Sequence, residues 1–167
     1  MKFSLCRPFG LPAVVALLFA CAACSGADDE AGPAVPTPSG RQAALCRALH
    51  GALPRTVGDL ERRATDPESD FTAAWGGHPA ITLRCGVPKP ELLRSHPGSD
   101  SAELNGVEWL PEKQSDGSVR CTTVQREAWV EVTLPKKVVG DVGAGDISVL
   151  TDLADAVSKT IPVGIVS

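Results

Sequence analysis

Six cysteines, three histidines and scattered acids are the residues of this 167-residue chain whose types can do chemistry. Cys21 and Cys24 stand three apart, a spacing shared by redox pairs and by halves of zinc sites. A redox pair belongs at the start of a helix in a folded βαβ unit, whereas this one borders an apolar run that gives way to small and then acidic residues. Zinc needs further ligands nearby, and no Cys or His follows before Cys46. His50, His78 and His96 are scattered, two of them before Pro, without the H-x-H or H-E-x-x-H spacing of a ligand set. No metal site and no cofactor is expected. G-x-S-x-G and S-x-x-K are absent, so no catalytic residue can be named, although a nucleophile assembled from distant loops stays open. Gly143-Ala144-Gly145 ahead of a helix invites a phosphate reading, but it lacks the full glycine fingerprint and is flanked by Asp141 and Asp146; a plain turn fits better.

The setting of Cys21 and Cys24 points to export. A short basic start, Met1 to Arg7, precedes an apolar run from Phe9 to Ala20 and then small residues. The run contains Pro12 and falls short of the ~20 apolar residues that span a bilayer. Leu18-Phe19-Ala20-Cys21 resembles the lipobox of bacterial lipoprotein signals, in which the cysteine sulfur takes a diacylglycerol and the cleaved chain begins at that cysteine. Cys24, preceded by Ala22-Ala23, is the alternative lipidation site. Two acyl chains, at about 0.8 kcal/mol per buried CH₂, hold a protein on a membrane firmly. Residues 1–20 are thus expected as a signal peptide and 21–39 as a lipidated N-terminus and disordered tether, since SGADDEAGPAVPTP carries almost no apolar bulk. The expected location is the extracytoplasmic face of the cell membrane.

Lys2 and Arg7 are the only charges in the first 24 residues, which leaves 14 basic against 20 acidic residues beyond, a balance of −6. Nucleic acid is excluded as an expected partner, because phosphate-backbone binding needs clustered Lys and Arg.

The elements that position these residues are expected in one α+β domain over residues 40–163. Ser39-Gly40-Arg41-Gln42 has the form of a capping box, and Leu45, Ala48, Leu49 and Ala52 recur at helical spacing. Ile81, Leu83, Cys85 and Val87 alternate with Thr82 and Arg84, which predicts a strand with Cys85 facing the core. Further strands are predicted over Leu104–Leu110, Val119–Val124 and Ala128–Leu134, with a turn at Asp116-Gly117. Asp146 is placed to cap a closing helix with the stripe Ile147, Leu150, Ala154, Val157 and Ile161. The prediction is about four antiparallel strands with two helices packed on one face and the other face wet. Thr56 to Asp70 carries no assignment.

In an oxidising compartment Cys46 on the first helix and Cys85 on the strand beneath it form the expected disulfide. Cys121 shares a face with Val119 and Thr123 and reads as a buried free thiol, with pairing to Cys24 or reactivity as alternatives. Alternation puts Trp129 on the face opposite Ala128 and Val130, where an exposed Trp beside Glu131 would form a binding surface; alternatively Trp75, Trp109 and Trp129 simply cover core edges.

The blocks Cys46-Arg-Ala-Leu-His-Gly-Ala-Leu-Pro54, Thr72-Ala-Ala-Trp-Gly76, Leu83-Arg-Cys-Gly-Val87, Asn105-Gly-Val-Glu-Trp-Leu-Pro111 and Val130-Glu-Val-Thr-Leu-Pro135 resemble an actinobacterial lipoprotein family of unknown function, domain of unknown function family 3515. The resemblance covers nearly all of residues 41 to 162. It implies an exported, lipid-anchored envelope protein with a cysteine pair matching Cys46 and Cys85, and it supplies no catalytic residues. Cys121 departs from that pattern, which has an aromatic residue or Thr there. The expected function is a non-enzymatic envelope module that binds an unknown protein, glycan or small ligand. The alternatives are an envelope hydrolase or thiol enzyme using Cys121 or a loop carboxylate, and a passive structural component.

Overall fold

The structure, a computed structural model, describes residues 32–140 and 145–164. The expected signal peptide, the candidate lipidation sites Cys21 and Cys24, and the Gly143-Ala144 pair lie outside the described residues. Helix α1 (Gly40–Ala52) is followed by four short strands, β1 (Thr56–Val57), β2 (Leu60–Arg63), β3 (Thr72–Trp75) and β4 (Ile81–Cys85). A short helix α2 (Glu91–Ser95) leads to β5 (Ala102–Leu104), β6 (Val107–Lys113), β7 (Val119–Thr123) and β8 (Val130–Leu134). Then come α3 (Lys136–Val139), a 3₁₀ turn at Ser148–Leu150 and α4 (Thr151–Thr160).

The α+β class holds, but the sheet has eight antiparallel strands rather than four, in the order β1-β2-β3-β4-β8-β7-β6-β5. It consists of two consecutive four-stranded meanders joined along the β4–β8 seam, where Arg84 faces Glu131 and Cys85 faces Val130. The expected strand Leu104–Leu110 is broken by a two-residue turn, because Asn105 and Gly106 take φ of 48° and 75°. Both residue types tolerate that left-handed backbone, which matches strand twist in a tight hairpin. Gly58 and Asp59, with φ of 53° and 62°, do the same between β1 and β2 in the unassigned stretch. The predicted turn at Asp116-Gly117 forms, and the Asp116 carboxylate accepts from the Ser118 N–H and hydroxyl at 2.9 and 2.7 Å.

One face of the sheet carries the core. Trp75, Ile81, Leu83, Trp109, Val130 and Val132 pack there beneath Leu49 of α1 and Leu153 and Val157 of α4. The buried residues of α1 are Ala43, Cys46 and Leu49, so its inner stripe is rotated from the predicted one, and Ala48 and Ala52 are exposed. The reason is the Cys46–Cys85 disulfide, with Cα atoms 5.5 Å apart, which turns Cys46 onto the sheet. Ser39 makes no side-chain cap bond; the capping box does not form. The stripe on the closing helix does, and Asp146 Oδ1 accepts from the Ser148 N–H at 2.8 Å at the start of the 3₁₀ turn.

Candidate functional site

The face opposite the core is not simply wet. Residues 32–38, the last part of the expected tether, lie along the β4–β8 seam. Pro33 lies beside Thr82 and Thr133, and residues 35–39 border Arg84, Gly86 and Trp129. Pro36 is buried, and Arg84 Nε donates to the Ala34 carbonyl at 2.8 Å. Pro33, Pro36 and Pro38 have no N–H to give a ladder, so the segment lies across the sheet instead of extending it. Their fixed φ also lowers the entropy lost on ordering, which is why a segment with so little apolar bulk can hold a place.

From Arg84, at the strap, a row of alternating charges runs over β8, β7 and β6. Arg84 Nη1 meets Glu131 Oε1 at 3.0 Å, Glu131 Oε2 lies 3.9 Å from Arg120 Nε, and Arg120 Nη2 meets Glu112 Oε1 at 3.2 Å. Two cations and two anions balance. Glu131, expected as part of an exposed surface, is only 12% exposed because its carboxylate is held between two guanidinium groups.

Trp129 does lie on this face, one residue before β8, but it is half-buried. It forms one wall of an open cleft of about 790 Å³. Residues 35–39 of the strap form a second wall, and the segment 86–89 with Leu93 and Pro97 a third. Trp75 and Trp109 take no part, being fully buried in the core. The charged residues lining the cleft are Arg84, Lys89 and Arg126, with no carboxylate among the described lining residues. Arg126 is 5% exposed. Its guanidinium donates to the carbonyls of Ile161 and Gly106 at 2.9 and 2.6 Å, tying the β7–β8 connection to the end of α4 and to the Asn105-Gly106 turn. It has no carboxylate partner among the described residues, and burial lowers its pKa. Sequence reasoning missed Arg126 because it sits between two strands, in no periodic pattern. The face of Arg84 was legible from alternation, while its pairing with Glu131 depends on register.

The arrangement can bind, through N–H donors and an aromatic wall, and the described lining side chains include no His, Cys, Asp or Glu. Cys121, on which the thiol-enzyme alternative rested, is a fully buried free thiol. Burial first, and the Glu112 charge second, push its pKa up to about 12, so it offers no thiolate at neutral pH. The described residues contain no group of three or more His, Cys, Asp or Glu placed to hold a metal. None of their helices is long and apolar enough to cross a membrane.

Fold and cleft together define a single α+β domain with an eight-stranded antiparallel sheet, a helical layer on one face and a strapped, cation-lined cleft on the other. The chain belongs to the family described as protein of unknown function (DUF3515), whose model matches residues 8–165. No curated protein and no solved structure matches it.

Proposed function

We propose that the protein is an exported, lipid-anchored cell-envelope module that binds a ligand in the cleft beside Trp129 and has no catalytic role of its own. The observation that carries this reading is the cleft itself. It combines a half-buried Trp, a buried arginine without a carboxylate partner among the described residues, and about 790 Å³ of open space, the size range of a small-molecule site. The anchor rests on the Leu18-Phe19-Ala20-Cys21 pattern, with Cys24 as the alternative attachment point. Ten residues, 22–31, separate Cys21 from the strap and seven, 25–31, separate Cys24 from it, so the cleft would work close to the membrane.

Trp129 supplies the test, because Trp75 and Trp109 are fully buried. A small-molecule extract of the native host's envelope is expected to shield Trp129 from acrylamide quenching, with Trp129→Phe protein as the blank. No shielding by any fraction ends the binding reading. For the anchor, membrane partition of Cys21→Ala and Cys24→Ala proteins is compared with the parent. Retention of both variants on the membrane ends the lipid reading.

A further inference from the structure

The lining of the cleft indicates what kind of ligand it takes. Beyond residue 24 the chain carries six more acidic than basic residues, yet the charged residues among the described lining are Arg84, Lys89 and Arg126. The carboxylates adjoining these walls are already engaged: Glu131 by Arg84 and Arg120, Glu127 by Arg41, and Glu108 by the amide of Gln125. Arg84 is neutralised within the charge row, which leaves Lys89 and Arg126 as the lining cations without a carboxylate partner among the described residues. Lys89 is exposed, whereas Arg126 is buried and held by two hydrogen bonds. Two backbone carbonyls orient its guanidinium, and they use two of the five N–H donors that the group carries. A planar, pre-oriented fork with spare donors suits a carboxylate or phosphate oxygen pair. Burial strengthens that attraction because little water screens it. Trp129 supplies a flat apolar wall to one side, with Leu93 and Pro97 lining the same cleft.

We infer that the cleft binds a small organic anion, its acidic oxygens held by Arg126 with help from Lys89 and its flat apolar body lying against Trp129. The inference rests on the reading of the cleft as the binding site. The test titrates the purified mature protein with naphthyl phosphate and, separately, with naphthol, its neutral counterpart, by calorimetry. Naphthyl phosphate is expected to bind saturably at one site, at least about tenfold more tightly than naphthol. Lys89→Gln, an exposed change that should not disturb folding, is expected to weaken the phosphate by roughly threefold and leave naphthol unchanged. Arg126→Gln is expected to weaken it further, and Trp129→Leu to weaken both probes. Equal affinity for the two probes, or a phosphate affinity untouched by both Lys89→Gln and Arg126→Gln, overturns the inference. If the envelope extract shields Trp129 while naphthyl phosphate shows no preference, the anion inference alone falls. If the extract fails to shield it and neither probe binds, the cleft is not the site.

Discussion

Arg84 ties three parts of the molecule together: from β4 its Nη1 reaches Glu131 Oε1 on β8 at 3.0 Å, while its Nε reaches the Ala34 carbonyl of the strap at 2.8 Å. The seam between the two meanders and the segment leading toward the N-terminus therefore share one side chain. The cleft depends on both, since Arg84 and residues 35–39 line it.

Arg84→Met leaves the Ala34 carbonyl without this donor and Glu131, among the described cations, with Arg120 at 3.9 Å. A half-buried carboxylate losing its nearest partner costs about 1–3 kcal/mol. The expected result is a loss of that order in urea unfolding, with new protease cleavage inside residues 32–38. A variant as stable as the parent and uncut in the strap would show that Arg84 holds neither.

Gly86→Ala attacks the same strap from beneath. Gly86 has φ of +85°, and a Cβ there would stand 2.5 Å from the Pro38 Cβ. The left-handed backbone alone costs a non-glycine residue about 1–2 kcal/mol, and the contact pushes Pro38 away. The variant should be less stable by at least that much, and Trp129 should become more open to acrylamide. Gly77→Ala, where an added Cβ meets nothing within 4 Å, is the control and is expected to stay near neutral.

Much of the layered plan was legible in the residues, and the gaps have identifiable causes. Ile81–Cys85 and Val130–Leu134 alternate cleanly because one face of each packs on the core, and the closing helix shows its stripe for the same reason. β1 and β2 are two and four residues long, too short for a period to emerge. Their one signal was Gly58-Asp59, a pair suited to a two-residue hairpin turn. β3 is buried at all four positions, so it shows no alternation at all. The cleft was the least legible part. Trp129 could be placed on its face by alternation, but the strap looked like tether by composition, and Arg126 acts through contacts with Gly106 and Ile161, distant in sequence.

Removing the Cys46–Cys85 bridge should cost about 4 kcal/mol in the chain-entropy model, since it closes a loop across 39 positions. Cys46→Ala/Cys85→Ala protein is expected to lose that much in denaturant unfolding, a large part of a small domain's stability. Both cysteines are buried, at 0% and 1% exposure, so dithiothreitol should reduce the native bridge only as fast as the domain opens. Rapid reduction under native conditions would contradict the packing.

Cys121 gives the pH prediction. Its pKa in the folded protein is pushed up to about 12 from an ordinary 9.0, by burial first and by the Glu112 charge second. The folded state thus favours the protonated thiol, and the stability this contributes is fully present below pH 9.0 and lost as pH rises through about 12. Over that window the slope approaches ~1.4 kcal/mol per pH unit. Cys121→Val removes the titrating group while keeping the volume close, so its urea midpoint should fall less steeply than the parent's between about pH 9 and pH 11. The absence of Tyr from the chain keeps phenol ionisation out of the comparison. A thiol reagent should leave native Cys121 untouched at neutral pH and label it once urea unfolds the protein. Parallel pH profiles for parent and variant, or prompt labelling of native protein, would place Cys121 within reach of solvent and reopen its use as a nucleophile.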